Sequence, residues 1–167
     1  LSSGEPSSMQ SAVNAVGAWQ GNRGRSSLLK TFERETGYNL DSRKSMLHTE
    51  LTTNIEITSP SLYTNNGIPV VKYYNVNKDG SLPASNIAYT DFPLFRLGEI
   101  YLNYAEAVLR GGTGGDQVTA LKYVNDLRAR AYSDKDEAPI ASSELTLDFI
   151  LDERGREFFF EAQRRTD

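Results

Sequence analysis

The feature that most restricts the fold is an apolar pattern of helical spacing that is stopped and restarted by strong local signals. Over residues 95–110 the apolar side chains fall on one continuous helix face, formed by Leu97, Ile100, Tyr101, Tyr104, Ala105 and Val108. Gly111 and Gly112 follow directly, and glycine readily adopts the left-handed backbone with which helices commonly end. The pattern predicts a long helix that ends there and a chain that folds back as a helical hairpin.

Two further helices are predicted downstream. Asp116 is the expected cap of a helix that runs to about residue 132, and Thr146 is the expected cap of a third helix. Their inward faces are predicted to consist of Ala120, Leu121, Val124, Leu127 and Ala131 in the second helix, and of Leu147, Ile150, Leu151, Phe158 and Ala162 in the third. The last residues continue the helical pattern without a stop signal, so we expect a piece of a longer protein.

Composition divides the chain near residue 90. Residues 1–90 carry 8 basic and 7 acidic side chains and are rich in Ser, Asn, Thr, Gly and Pro, whereas residues 91–167 carry 10 basic and 15 acidic side chains. The first part is predicted to be loop-rich, with a short helix from Ser26 or Ser27 to residue 35. Alternating apolar residues over 47–57 and a second run over 69–74 allow a small β-ribbon. We expect the two parts to form one structural unit.

The rarest residues restrict the chemistry. The 167-residue chain has no Cys and a single His, and its formal net charge is −4. Thiol nucleophiles, Cys-ligated zinc and multi-His metal sites are therefore excluded within this chain, and we expect no cofactor. The sequence pI of about 5.1 argues against a nucleic-acid partner, because phosphate binding needs a basic surface. No apolar run approaches the roughly 20 residues that cross a bilayer.

The densest charge cluster lies in the third helix and has two interpretations. Glu153 and Glu157 could form a glycosidase acid/base pair, but carboxylates four residues apart on one helix point the same way instead of facing each other across a substrate. We therefore predict no catalytic residue and a structural charge network that holds the helices in register. Its expected members are Arg96, Glu99, Glu106, Arg128, Arg130, Glu153, Arg154, Glu157, Glu161 and Arg164.

One glycine-rich stretch has the composition of a carbohydrate-binding surface. An indole face stacks on the apolar face of a sugar ring, while amide and guanidinium groups hydrogen-bond its hydroxyls. The candidate glycan-binding residues are Trp19, Gln20, Asn22 and Arg23, with Tyr63, Asn65 and Asn66 as a second group. The alternative is that Trp19 only anchors a long loop to the body of the protein.

Three ordered blocks in the second part resemble the C-terminal region of the SusD/RagB family of outer-membrane nutrient-binding lipoproteins. Residues 91–107 are similar to the family's Arg-x-x-Glu-x-x-Leu-x-x-Ala-Glu-Ala helix, and residues 125–131 to its Asn-x-x-Arg-x-Arg-Ala motif. Residues 153–167 resemble its Glu-Arg-x-x-Glu and Glu-Gly-x-Arg-x-x-Asp ending. The likeness over residues 28–43, which close on Asp41-Ser42-Arg43, and over residues 67–73 is thinner.

The chain departs from the family pattern at three positions, and no likeness is visible over residues 1–27. Ala162 stands where the family usually has Gly, Gly155 where a larger residue is common, and Tyr132 where Gly is typical. We expect these differences to alter local packing.

The resemblance implies a mainly α, tetratricopeptide-repeat-like helical scaffold and a non-enzymatic role. It further implies glycan capture at the outer face of the outer membrane and delivery of oligosaccharides to a SusC-like TonB-dependent transporter. Attachment to the membrane would be through an N-terminal lipid anchor outside this segment. Two alternatives stay open: a peptide ligand, as in the RagB branch, or a pure interaction scaffold that docks the transporter.

Overall fold

In a computed structural model of the chain, the structure describes residues 23–34, 38–59, 66–73, 77–79, 81 and 91–163. These residues form four α-helices, which are α1 (Ser26–Glu33), α2 (Leu97–Leu109), α3 (Gln117–Ala131) and α4 (Leu147–Phe158). Short 3-10 turns occur at Tyr38–Leu40, Ser42–Met46 and Thr49–Leu51. The described residues include no extended strand, so the predicted mainly helical fold class is confirmed.

The chain divides into two compact units. The first unit comprises Leu1–Lys30 and Ser45–Phe92, and the second, which we call the helical unit, comprises Thr31–Lys44 and Pro93–Asp167. Composition alone places a boundary at residue 90. It gives no sign that Thr31–Lys44 belongs with the later helices.

Isolated antiparallel bridges and a small apolar core organise the described residues of the first unit. Gly24 and Ile68 exchange backbone hydrogen bonds of 2.8 Å in both directions, and Leu47 is bridged to Val70. The buried apolar side chains of this unit are Leu29, Leu47, Ile68, Val70 and Val71. A Cβ atom at Gly24 would lie 3.1 Å from Val70 Cγ2, so a larger residue here would force Val70 to shift slightly.

The predicted strand over residues 47–57 is wrong beyond its first residue. Thr49–Leu51 forms a 3-10 turn instead. Further along, Thr52 Oγ1 accepts a hydrogen bond from the Asn54 amide at 3.3 Å, and Asn54 Oδ1 accepts one from the Glu56 amide at 3.1 Å. Such local side-chain bonds compete with a strand ladder, and this explains why the alternating pattern yields a single bridge rather than a ribbon.

The helical unit is built on the predicted hairpin of α2 and α3. Gly111 and Gly114 in the connecting turn have φ of +85° and +88°. Asp116 Oδ1 accepts a 2.8 Å hydrogen bond from the Thr119 amide, and Thr146 Oγ1 accepts one of 3.1 Å from the Phe149 amide, so both predicted N-caps are confirmed. The main core of this unit consists of Leu102, Ala105, Ala120, Val124, Leu127, Ile140, Leu145, Ile150 and Phe158.

The predicted face of α2 is confirmed only in part: Ala105 is buried in the core, and Tyr104 and Val108 pack against it. Gly98, Leu102 and Ala105 are buried, whereas the exposed fractions of Leu97 and Ile100 are 62% and 57%. The prediction that Leu97 and Ile100 are buried is therefore wrong. Apolar residues occupy two sides of α2, and periodicity alone does not tell which side meets the core.

The third predicted helix is also shorter than expected. α4 ends at Phe158, and Phe160 and Ala162 both have φ of +62°, in the left-handed region that ends a helix. Within α4, Ile150 and Phe158 are buried as predicted, while Leu147 and Leu151 are 39% and 38% exposed. The prediction of an inward-facing Ala162 on a continuing helix is wrong.

Candidate functional site

The most developed polar arrangement in the described residues is a buried ionic cluster in the helical unit. It begins at the 3-10 turn Ser42–Met46, which presents Arg43. Asp41 accepts hydrogen bonds from Arg43 Nε at 2.9 Å and from Arg43 Nη2 at 2.7 Å, a two-pronged pairing. Both side chains are almost completely buried. The negative charge of Asp41 is thereby balanced by Arg43, and Asp41 holds the Arg43 guanidinium group in the position from which it reaches α4.

Glu153 on α4 is the fully buried centre of the cluster. Arg43 Nη1 donates to its Oε1 at 2.8 Å, and Arg156 donates to its Oε2 through Nε at 2.9 Å and Nη2 at 2.8 Å. Arg128 Nη1 lies 3.4 Å from Oε2. Burial by itself would raise the pKa of Glu153, but Arg43, Arg156 and Arg128 together hold this pKa well below its usual value. Glu153 is therefore ionised at any physiological pH.

Glu157, one turn further along α4, is the second centre. Its Oε2 accepts from Arg43 Nη1 at 2.8 Å, and its Oε1 accepts from Arg96 and Arg130. Burial again opposes ionisation, but the neighbouring guanidinium groups, Arg43 first, lower the pKa of Glu157 overall. Arg96 also donates to Glu161 through Nε at 2.7 Å and Nη2 at 2.9 Å. One cluster thus joins the segment Thr31–Lys44, the residue before α2 and the end of α4.

Arg128, which also faces Glu153, makes two further hydrogen bonds. Arg128 Nε donates to the Ala138 carbonyl at 2.6 Å, and its Nη2 donates to the Tyr132 hydroxyl at 3.0 Å. Tyr132, at a position where the resemblance predicts Gly, therefore supports a motif arginine.

Three other predicted members lie outside the central cluster. Glu99 accepts from Gln163 at 3.2 Å, and Glu106 pairs with Arg110 at 2.8 Å on the exposed side of α2. Arg154 Nη1 donates to Asn103 Oδ1 at 2.6 Å. Arg164 lies outside the described residues.

Sequence reasoning missed three cluster residues, which are Asp41, Arg43 and Arg156. Arg156 Nη1 donates to the Thr31 carbonyl at 2.6 Å, so it also fastens the Thr31–Lys44 segment. The available signal was the Asp41-Ser42-Arg43 ending of the thinner upstream likeness. Asp41 and Arg43 lie far from α4 in the sequence, so the sequence alone does not identify Glu153 and Glu157 as the partners of Arg43.

The geometry of Glu153 and Glu157 does not suit acid/base catalysis by this pair. Their exposed fractions are 0% and 3%, and their oxygens accept from guanidinium groups instead of facing a cleft. A general acid must hold a proton near neutral pH, which a lowered pKa prevents. The arrangement can hold elements in register, and it offers a substrate no access to these two carboxylates.

The described part of the predicted glycan surface lies in the first unit. Arg23 Nη1 donates to the Asn66 carbonyl. Asn66 is buried, and its Oδ1 accepts from the Thr58 amide at 2.7 Å while its Nδ2 donates to the Ser59 carbonyl. Trp19, Gln20, Asn22, Tyr63 and Asn65 lie outside the described residues. A direct contact of Arg23 or Asn66 with a sugar stays a prediction, and the hydrogen bonds described above for both lie within the first unit.

The described ranges contain neither a metal-binding cluster nor a helix that could span a membrane. No group of three or more His, Cys, Asp or Glu side chains there could hold a metal ion. None of the helices in the same ranges is long and apolar enough to span a membrane.

Comparison with known proteins identifies the class. The model of the SusD family matches residues 9–167, so the chain belongs to the SusD family. The match includes part of residues 1–27, where the sequence by itself showed no likeness. The chain is also 42% identical over 103 residues to the starch-binding protein SusD of Bacteroides thetaiotaomicron. That alignment covers 60% of this chain and 17% of the relative's length.

Proposed function

We propose that this chain is part of a non-enzymatic glycan-binding protein of the cell surface. The observation that carries the proposal is the 42% identity to a protein named for starch binding, together with the family match over residues 9–167. The buried ionic cluster supports it, because the densest group of carboxylates in the chain braces helices instead of lining an open cleft. The similarity to a starch-binding protein and the buried ionic cluster both agree with a protein that binds glycans without cleaving them.

In this proposal the stacking groups are Trp19 and Tyr63, and Gln20, Asn22 and Asn65 contribute hydrogen bonds to sugar hydroxyls. Arg23 and Asn66 then act as positioning residues, since Arg23 donates to the Asn66 carbonyl and Asn66 holds Thr58 and Ser59 of the same unit. A preorganised loop lowers the entropy lost on binding, which matters for a ligand whose individual contacts are weak.

The wider role that we propose is nutrient uptake at the outer face of the outer membrane. The protein would be held there by an N-terminal lipid anchor, and it would pass oligosaccharides to a SusC-like TonB-dependent transporter. Family membership supports this role. Its test is co-purification of the full-length protein with such a transporter from solubilised outer membranes.

Isothermal titration calorimetry of the full-length protein tests ligand binding. We expect heat of binding with maltooligosaccharides in a panel that also contains other oligosaccharides and short peptides. Trp19→Ala should weaken the binding by about two- to tenfold, because one aromatic stacking contact contributes about 0.5–1.5 kcal/mol. Trp19→Phe, which keeps an aromatic face, should retain most of it.

The outcomes separate the alternatives. Binding of peptides alone would favour a peptide importer of the RagB type and refute the glycan proposal. Glycan binding that Trp19→Ala leaves unchanged, in a protein with an intact circular dichroism spectrum, would make this region a scaffold and place the ligand contacts elsewhere. Hydrolysis of an oligosaccharide that is lost in Glu153→Gln would overturn the non-enzymatic role.

A further inference from the structure

The chain contains a single Asn-Gly pair, Asn66-Gly67, and both residues are buried at a bend of the first unit. The side-chain amide of an asparagine loses ammonia when the backbone nitrogen of the next residue attacks its carbonyl carbon. Glycine favours this attack, because it has no Cβ atom to crowd the nitrogen. Asn66 is therefore the side-chain amide whose sequence context most favours the reaction.

The Asn66 amide uses both its acceptor and its donor to join this bend to residues 58–59. Its Oδ1 accepts from the Thr58 amide at 2.7 Å and from the Thr58 hydroxyl at 3.3 Å, while its Nδ2 donates to the Ser59 carbonyl. Arg23 donates through Nη1 to the Asn66 backbone carbonyl. An ionised carboxylate accepts but does not donate, so it cannot reproduce the bond to Ser59.

The glycine at this bend is also required by the fold. Gly67 has φ of +90°, and a Cβ atom there would lie 2.8 Å from Ile57 Cγ1. The Gly67 amide donates to the Asn54 carbonyl at 2.9 Å. The nitrogen that would attack is thus engaged in one hydrogen bond, and the amide that it would attack is held by others. The reaction requires the bend to open first.

We propose that Asn66 is a deamidation site that the native fold protects and that reacts when the bend opens. The Gly67 backbone nitrogen then forms a bond to Asn66 Cγ, and its proton leaves together with Nδ2 as ammonia, so that a five-membered imide remains. Water opens the imide to aspartate or isoaspartate, without an oxidant or any other reactant. Either product lacks the N–H that bonds Ser59, so the original contacts cannot form again. The inference goes beyond the proposed function, because it requires no ligand.

Peptide mass spectrometry of the full-length protein tests the proposal by comparing the rate of Asn66 deamidation in native buffer and in denaturant, both at mildly alkaline pH. A reaction that needs local opening is slowed by the fraction of time for which the site is closed, and we expect the native rate to be at least ~100-fold lower. Arg23→Met, which removes the bond to the Asn66 carbonyl, should raise the native rate by about tenfold. Arg110→Met, which changes an exposed pair of the helical unit, is the control and should leave the rate unchanged.

Separate results would overturn each step of the inference. Equal rates in native buffer and in denaturant would refute protection by the fold, and a lack of deamidation in denaturant would show that Asn66 is not reactive. Equal native rates for Arg23→Met and Arg110→Met would show that Arg23 does not hold the bend closed.

The deamidated protein gives a further test. It carries one more negative charge, so ion-exchange chromatography separates it from the unmodified protein. We expect it to unfold at a lower denaturant concentration, because the bonds of the Asn66 amide are lost. Equal midpoints of unfolding would contradict the need for this amide. None of these measurements depends on glycan binding.

Discussion

Replacement of Arg43 by Met is the sharpest test of the ionic cluster. Arg43 donates to Asp41, Glu153 and Glu157, and all four side chains are nearly inaccessible to solvent. Met keeps much of the side-chain length but removes the charge and every side-chain hydrogen bond; the backbone amide of residue 43 still donates to Asp41. Glu153 and Glu157 retain other arginines, whereas the side chain of Asp41 loses its charged partner.

Loss of one partner from a buried ion pair costs about 3–5 kcal/mol, because the remaining charge stays desolvated. We therefore expect Arg43→Met to lower the free energy of unfolding by about 3–5 kcal/mol. Asp41→Asn in the Arg43→Met background should recover part of this loss, since it removes the unpaired carboxylate. Denaturant unfolding monitored by circular dichroism measures both changes, provided that the dependence of the free energy of unfolding on denaturant concentration (the m-value) stays constant.

Arg110→Met provides the matched control. Arg110 pairs with Glu106 at 2.8 Å, but its side chain is 63% exposed. An exposed pair four residues apart contributes about 0.3–0.5 kcal/mol. If Arg43→Met costs no more than Arg110→Met, the cluster does not fasten the Thr31–Lys44 segment, and the structural interpretation of these charges is refuted.

Three further predictions concern backbone conformation and pH. Ala162→Gly should raise the free energy of unfolding by about 1 kcal/mol, because Ala162 has φ of +62° and a Cβ atom is unfavourable there. Gly155→Ala should stabilise α4 by about 0.5–1 kcal/mol, since the new Cβ would lie at an ordinary contact distance of 3.7 Å from Thr31. Gly98→Ala should stabilise α2 less or destabilise it, because its Cβ would lie 3.0 Å from Arg96 Nη1. The free energy of unfolding should fall as pH drops below about 4.3, the usual Glu pKa. Glu153 and Glu157 have lowered pKa values in the folded state, so the unfolded chain takes up protons first and is favoured at low pH.

Each of these predictions has a contradicting result. Thermal and denaturant unfolding measure the stability of Ala162→Gly. A loss of stability would show that residue 162 does not have the left-handed backbone in solution. Equal effects of the two glycine substitutions would contradict the difference in free space around them. A stability that is constant between pH 6 and pH 3 would show that neither glutamate is held ionised by its arginines.

Local signals explain which parts of the fold could be predicted. Asp116 and Thr146 form caps with residues that follow them in the chain, so sequence alone identifies both. The same holds for the glycine turn after α2. The pairing of Arg43 with Glu153 joins residues that are 110 positions apart, and no local rule selects one arginine over another.

The left-handed backbone after α4 was not predicted, because neither Phe160 nor Ala162 is a residue that favours it. The family resemblance contained the relevant information, since it places Gly where this chain has Ala162. Gly in the family pattern indicates a position with positive φ, whereas Ala at the same position in a single sequence gives no such indication.

Two helices of this unit reverse the ordinary relation between hydropathy and burial, and the reason differs between them. In α4 every residue from Glu153 to Phe158 is buried although four of them are charged. Burial is tolerated because Glu153, Arg156 and Glu157 are held in ion pairs and Arg154 donates to Asn103. In α2 the apolar residues Leu97 and Ile100 are exposed in the described structure. Hydropathy predicts the transfer of isolated side chains, so it fails where partners neutralise charge. It also leaves the direction of burial open where a helix has apolar residues on two sides, as α2 does.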